Sequence, residues 1–302
     1  GFAERGGDVP EGMTSAMSNR SDRDRDHRRA FHPPSSVLRL GDGVWTPENV
    51  TEVSYPEDGN DACFAVEERS YWFHHRNDVI VAAIRRRPPS GTFFDVGGGN
   101  GFVAKAIQDA GFRVALVEPG RGAFNALRRG VTDVVRSTLE DAAFDAGSIG
   151  AIGVFDVVEH VRDEDRFLSG IRRILAPGGR VYCTVPAGKW LWSRDDVSAG
   201  HFRRHTARSL RASFRRNGFE IEYLSHFFCW LPLPVFVFRT LPSLAGIRRA
   251  DLRDRAAIQA DHSLPAPLRP VAATAHRWEL NRIGRGASVP VGSSLICVAR
   301  HD

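Results

Sequence analysis

From residue 92 onward, short apolar runs alternate with stretches of helical period. TFFDVG (92–97), RVALVEP (113–119), DVVRST (133–138) and AIGVFDVV (151–158) read as strands. They are almost continuously apolar, as strands covered on both faces are. GFVAKAIQDAG (101–111) and RGAFNALRRG (121–130) read as the helices between them. DEDRFLSGIRRILAPGG (163–179) is the best-marked helix: acids open its first turn, Phe167, Leu168, Ile171, Ile174 and Leu175 share a face, and Pro-Gly-Gly ends it. RVYCTVPA (180–187) follows as a fifth strand, then TARSLRASFRRNG (206–218) as a helix capped by Thr206, and FEIEYLSHF (219–227) as a sixth strand. SSLICVAR (293–300) is the seventh. The alternation predicts an α/β, doubly wound, mostly parallel sheet.

The flanks read differently. Residues 1–36 are rich in Gly, Ser, Asp and Arg, including RSDRDRDHRR at 20–29, and bury too little apolar surface to offset their ordering entropy; they are expected to form a flexible arm. Residues 37–90 form an N-terminal helical or lid segment: WTPENVTEVSYPEDGN as extended or turn-rich chain, then AVEERSYWFHHRNDVIVAAIRRR as a helix or a pair of helices stopped by Pro88 and Pro89. Residues 91–302 are the main domain, with an insertion at 228–292 between the sixth and seventh strands.

The chemistry sits in FFDVGGGNGF (93–102). A dinucleotide fingerprint starting at Gly97 needs a third glycine at 102, where Phe stands, and no Gly-Lys-Ser/Thr follows to make a phosphate loop. Three further segments fall at the carboxyl ends of successive strands, where an open α/β sheet binds its ligand: Glu118-Pro119, the 137–140 segment, and FDVVEHV at 155–161.

DVGGGNG (95–101), VEPG (117–120), FDVVEHV (155–161) and LAPGGRVYCTVPA (175–187) together resemble the class I S-adenosylmethionine-dependent methyltransferases, over roughly residues 66–300. YWFHHRN (71–77) and DVSAGHFRRHT (196–206) resemble the bacterial members that modify small molecules and glycans. The resemblance implies a Rossmann-like seven-stranded sheet with an antiparallel last strand, and S-adenosyl-L-methionine as cofactor. It implies that Gly97, Gly98, Gly99 and Gly101 let the backbone approach the methionine moiety, and that Asp95 lies near its ammonium. Glu118, with Pro119, would hold the ribose. Thr138, Leu139 and Glu140 would border the adenine, with Thr138 where an Asp is common. Phe155, Asp156 and Val157, at the end of the fourth strand, would also contact the cofactor, and Trp72 and Arg76 would pack over the cofactor cleft from the N-terminal side.

An acceptor hydroxyl must lose its proton on attack. His160, after the fourth strand, and His201, near Asp196, are the expected catalytic residues. O-methylation of a small-molecule, glycan-type or lipid-linked acceptor is the expected reaction. A non-catalytic binding protein of the same fold and a nicotinamide-dependent oxidoreductase are the competing readings. No metal is expected, because Glu159 and His160 have no second ligand cluster beside them in sequence.

Composition adds limits. The 302-residue chain is 42% hydrophobic and 25% charged, ordinary for a globular protein. Cys63, Cys183, Cys229 and Cys297 form no CxxC pair, which favours a reducing cytoplasm over a disulfide or zinc framework. The net charge of +5 is uneven: residues 201–302 carry 16 Arg against 7 acids, but only Lys105 and Lys189 are lysines. With no binding module beside it, this bias does not predict nucleic-acid binding. FFCWLPLPVFVFRTLP (227–242) is too apolar and too Pro-broken for a surface loop; it is read first as a lid or packing surface, and with Arg248, Arg249, Arg253 and Arg255 it also raises peripheral membrane or lipid contact through 227–255. Oligomeric state is not legible.

Overall fold

Alternation along each strand decides the architecture. In the computed structural model Phe93, Phe155, Tyr182, Ile296 and Val298 join one buried cluster, while their neighbours Phe94, Val154, Val181, Cys183 and Cys297 are buried outside it. Side chains two apart share a face, so the sheet is covered on both sides. The structure describes residues 31–49, 63–64, 66–246 and 269–302. Pro34–Asp302 is one unit, and only 31–33 of the other unit, Gly1–Pro33, are among the described residues. The expected flexible arm falls mostly outside the described residues, as does the arginine cluster at 248–255.

In chain order the strands are β1 Arg39–Gly41, β2 Val44–Thr46, β3 Phe93–Val96, β4 Val114–Val117, β5 Asp133–Val135, β6 Ile149–Phe155, β7 Leu175–Pro186, β8 Phe219–Phe227 and β9 Ser294–His301. The sheet order is β1-β2-β5-β4-β3-β6-β7-β9-β8. Strands β2 to β7 run parallel, and β9 inserts antiparallel between β7 and β8. The chain leaves β3 toward β4 on one side and returns through β6 on the other, which places the topological switch between β3 and β6.

The seven expected strands are β3 to β9, and the sheet has two more. Ahead of the WTPENVTEVSYPEDGN segment, and taking in its first two residues as strand, the chain forms a hairpin, β1–β2, that prolongs the sheet beyond β5. Asp42 and Gly43 both take left-handed φ (51° and 79°), the geometry of a two-residue turn that matches strand twist. The Asp-Gly pair at 42–43 was the available sequence signal. A smaller difference lies at LAPGG: helix α4 (Glu164–Ile174) ends a residue earlier, and Leu175 already belongs to β7, with a bulge in the β6 pairing.

Helix α1 (Tyr71–Arg86) buries Val79, Ile80, Ala83 and Ile84 in the core cluster. Against it packs α7 (Arg269–Gly284), supplied by the insertion. Their contact is polar and buried. Glu279, fully enclosed, meets His75 Nε2 at 2.6 Å and accepts the backbone N–H groups of Phe228, at 3.0 Å, and Cys229. Tyr71 meets His276 beside it. Phe228 holds a left-handed φ of 58°, which a bulky residue adopts only when its surroundings impose it. Burial raises the pKa of Glu279, but the hydrogen bonds from His75 and Cys229 outweigh it and hold the carboxyl below its ordinary range.

Glu279→Ala is expected to lower unfolding free energy by about 3 kcal/mol, since it orphans two backbone donors and a buried histidine. Because the folded pKa is depressed, the unfolded chain takes up the proton first as pH falls. The wild-type advantage should therefore be full above the ordinary glutamate pKa and shrink below it. Urea unfolding of both proteins at neutral pH and near pH 4 checks both statements.

Candidate active site

The β3–α2 turn runs from Asp95 to the start of helix α2 (Phe102–Asp109). Gly97, Gly99 and Gly101 have left-handed φ of 69°, 52° and 73°, so the backbone turns sharply; their N–H groups donate to the Val117 carbonyl, to Glu118 Oε2 and to the Gly98 carbonyl, which fixes the turn. Gly98 has a different reason to be glycine. A Cβ there would lie 2.2 Å from Leu116 Cδ1 and 2.6 Å from Asp95 Oδ2, so the loop is folded directly onto that carboxylate. Asp95 is fully buried and, among the described residues, neither of its oxygens has a hydrogen-bond partner. Burial pushes its pKa up to about 7, against the lowering influence of Arg76. An orphaned carboxylate under a backbone-lined turn fits a ligand that brings a cation, as the ammonium of S-adenosylmethionine does.

Glu118 ends the next crossing and is tied to the same loop. Its Oε2 accepts from Gly99 N at 3.0 Å and its Oε1 from Gly120 N at 2.9 Å; burial raises its pKa, and these bonds oppose the shift. Pro119 follows it on the same turn. The first turn of α3 (Gly122–Arg128) closes on the loop, with the Gly99 carbonyl 2.6 Å from where a Cβ of Gly122 would be. Behind the loop, Asn125 Nδ2 donates to Asn100, and Arg129 donates to the Asn100 carbonyl and to Glu67. No sequence motif pointed to Gly122, Glu67 or Arg129.

After β5, Thr138 Oγ1 accepts from Asp141 N and starts a short turn. Leu139 is buried in it and Glu140 is exposed. Ser137 beside them is buried, with a hydroxyl unpartnered among the described residues.

After β6, Phe155 is buried, Asp156 takes a left-handed φ of 56°, and Val157 lies against Gly97, 2.8 Å from where a Cβ would stand. Helix α1 reaches this point. Arg76 Nη1 donates to Asp156 Oδ2 at 2.8 Å, and its guanidinium lies 5.1 Å from the ring centres of both Trp72 and Phe73. Trp72 also stacks on Phe228, at 5.4 Å.

Beyond Asp156 opens a cavity of about 400 Å³. Trp72, Arg76, Trp230 and Leu231 form one side, and Asp156, Glu159, His160 and His201 form its polar end. His160 and His201, 41 positions apart, meet with ring centres 4.8 Å apart. The loop that carries His201 is fastened to the 158–160 turn by Phe202 N donating to the Glu159 carbonyl at 2.8 Å. His201 Nδ1 pairs with Asp196 Oδ1 at 2.9 Å, and Asp196 also accepts from Arg204 Nε (2.7 Å) and Ser193 N (2.9 Å). Burial raises the Asp196 pKa, and these bonds from His201 and Arg204 overcome it, leaving the carboxyl low. Burial, then the neighbouring His201, lowers the His160 pKa to about 4. Glu159 is wholly buried, and burial, then Asp156, push its pKa well up. Among the predicted residues the structure thus brings together Trp72, Arg76, Asp156, His160 and His201 around one cavity, with Asp95, Gly97 to Gly101 and Glu118 on the other side of Asp156 and Val157.

A family model described as a methyltransferase domain matches residues 71–224. A Mycolicibacterium smegmatis protein named a probable S-adenosylmethionine-dependent methyltransferase is 25% identical over 180 residues, covering 58% of this chain and 70% of that protein. Two solved structures share the fold at 19% identity. One is the methyltransferase bound to the Trm112 activator from Haloferax volcanii, with a TM-score of 0.51 over 81% of this chain and 96% of that one. The other is phosphoethanolamine N-methyltransferase 2 of Haemonchus contortus with S-adenosyl-L-methionine, with a TM-score of 0.50 over 85% of this chain and 61% of that one.

The loop geometry separates two glycines. Gly98→Ala is expected to lose about 1–3 kcal/mol, because Leu116 and Asp95 must move. Gly99→Ala meets nothing within 4 Å and bears only the left-handed strain, roughly 1–2 kcal/mol. Denaturant titration, with calorimetric binding of S-adenosylhomocysteine as a second reading, checks the contrast: Gly98→Ala should lose ligand affinity as the carboxylate beneath it is displaced.

Proposed function

The chain belongs to the class I S-adenosylmethionine-dependent methyltransferases, and from that premise we propose that it methylates a hydroxyl of a small-molecule or glycan-type acceptor. The observation that carries this reading is the His201–Asp196 pair, 2.9 Å apart, at the polar end of the cavity. An amine acceptor can attack as its free base, whereas a hydroxyl needs a group to receive its proton.

The bound cofactor supplies an electrophilic methyl: the oxygen–carbon bond forms as the sulfur–carbon bond breaks, and sulfur keeps the bonding pair. The chain's part is to hold and align, which is where much of the acceleration of such a displacement arises. In this reading Asp95 balances the ammonium, and the turn from Gly97 to Gly101 lets the backbone approach the methionine moiety. Glu118 takes the ribose hydroxyls, Pro119 shapes that turn, and Thr138, Leu139 and Glu140 border the adenine. Phe155, Asp156 and Val157 form the partition between donor and acceptor. Trp72 and Arg76 close it from above, Arg76 fixed in place by Asp156. His160 and His201 face the acceptor hydroxyl, and its proton leaves at this end of the cavity; Asp196 on Nδ1 leaves Nε2 as the free ring nitrogen of His201.

Calorimetry with S-adenosylhomocysteine and transfer of labelled methyl into hydroxyl-bearing glycan fractions test this reading. Glu118→Ala should weaken S-adenosylhomocysteine by at least about tenfold, the scale of a lost charged hydrogen bond. His201→Ala should retain that affinity and lose roughly 100-fold or more in methyl transfer. Label found on nitrogen alone would refute the hydroxyl acceptor.

A lipid-linked acceptor is favoured by one further feature. Pro232–Val235, Phe236–Thr240 and Leu241–Leu244 form a continuous helical run. Its inner side meets the cavity through Leu231, Val235 and Arg239, and Thr240 Oγ1 anchors it to the Leu191 carbonyl. Its outer side leaves Leu233, Phe238 and Leu244 at least two-thirds exposed, in the arginine-rich part of the chain. Among the described residues no helix is long and apolar enough to cross a membrane. The reading is therefore peripheral contact of this run with an anionic membrane surface. Wild-type protein should float with phosphatidylglycerol-containing vesicles and a Phe238→Ser/Leu244→Ser variant should not; equal flotation of both would remove the membrane from the proposal.

A further inference from the structure

Glu159 is the least explained residue of the cavity. It is completely enclosed, and neither carboxylate oxygen has a hydrogen-bond partner among the described residues. A buried carboxyl left without donors is costly to the fold, and a single cation would satisfy it. Arg76 is committed to Asp156, and Arg204 to Asp196.

The two imidazoles point to the kind of cation. Donor atoms of Glu159, His160 and His201 all lie within 4.8 Å of one another. On His201, Nδ1 is occupied by Asp196, so Nε2 is the nitrogen left to donate a lone pair. On His160, Nδ1 faces Gly200, 3.9 Å from where a Cβ of that glycine would be, and the imidazole is hydrogen-bonded to the Gly200 backbone. A histidine whose far nitrogen is held by a carboxylate, itself held by an arginine, is the support that metal-binding imidazoles ordinarily have. Two nitrogens and one carboxylate suit a first-row transition ion better than Mg²⁺ or Ca²⁺.

We propose that Glu159, His160 and His201 bind one divalent transition-metal ion, whose remaining positions open into the acceptor cavity and take an oxygen of the acceptor. This rests on the hydroxyl-acceptor reading given above and alters one part of it: with Nε2 on the ion, His201 holds the metal and no longer receives the acceptor's proton. Three protein ligands with open positions are the arrangement of a reactive rather than a structural centre. A hydroxyl bound there is acidified and gives its proton to water, so that the oxygen meets the methyl as an alkoxide. His160 and His201 were expected from sequence as proton acceptors without a metal, because only Glu159 stands beside them in the chain. The fold supplies the third ligand by tying residue 202 to the Glu159 carbonyl.

The test needs no turnover. Tag-free, chelator-treated protein is titrated with Co²⁺ and followed by calorimetry and by visible absorption. The wild type should bind a single Co²⁺ with ligand-field bands of nitrogen and oxygen ligation. Glu159→Gln and His201→Ala should each weaken it by more than tenfold, and Asp196→Asn, which never touches the ion, by about tenfold. S-adenosylhomocysteine affinity unchanged in all three shows that the variants are folded. Failure to bind at millimolar Co²⁺, equal binding by Glu159→Gln and His201→Ala, or thiolate charge-transfer bands from Cys63 or Cys229 would each overturn the site. If wild-type protein fails to bind S-adenosylhomocysteine, the cofactor site itself is misread; if only Co²⁺ fails, the methyltransferase reading stands.

Discussion

Everything at the reaction centre depends on how one guanidinium is shared among buried acids. Arg76 pairs with Asp156 directly and lowers the pKa values of both Asp95 and Glu159 through space. Arg204 lowers Glu159 as well, yet burial, the larger influence, pushes both Asp95 and Glu159 upward. In the proposed reading the ammonium and sulfonium of the cofactor bring positive charge to this group of acids. A site that binds a positively charged donor and releases a neutral thioether gains from such acids, because they favour the charged reactant's arrival more than the product's retention.

Arg76 is only as well placed as α1, and α1 is held by a part of the chain far from it in sequence. His75, one residue before Arg76, reaches Glu279 on α7, and Glu279 takes the amides of Phe228 and Cys229 where β8 runs out. Phe228 then stacks on Trp72. The N-terminal helix and the insertion therefore close one polar clasp, from which Trp72, Arg76 and Trp230 descend into the cavity. The energetic logic is that of a buried network in which each member satisfies another; removing one leaves the rest unpaired.

How far this was legible in the sequence follows from distance along the chain. The strands β3 to β7 and the glycine turn are local patterns, written in alternation and in the order Asp95, Gly97, Gly99, Gly101, and they could be read directly. The β1–β2 hairpin was missed although Asp42-Gly43 announces it, because two three-residue strands carry too little apolar signal to stand out. Glu118 was legible as an acid at a strand end, but its bonds to Gly99 and Gly120 were not, since they require the loop's backbone geometry. Gly98 looked like one more turn glycine; its real constraint, the carboxylate beneath it, is a matter of packing.

The catalytic end shows the limit most clearly. His160 and His201 were each visible as polar residues in a promising place, and Asp196 as a neighbour able to orient one of them. What no linear pattern carries is their convergence. One backbone hydrogen bond, from Phe202 to the Glu159 carbonyl, turns two separate histidines and a buried glutamate into a single group. The polar lining of the cavity includes Arg76, Asp156, Glu159, His160, His201, Arg204 and Arg239, and Trp230, Leu231 and Val235 from the insertion line the same cavity. In the proposed reading, acceptor choice is divided between polar groups set by the main domain and apolar ones set by the insertion, so that the same main domain with a different insertion would keep the chemistry and change the substrate.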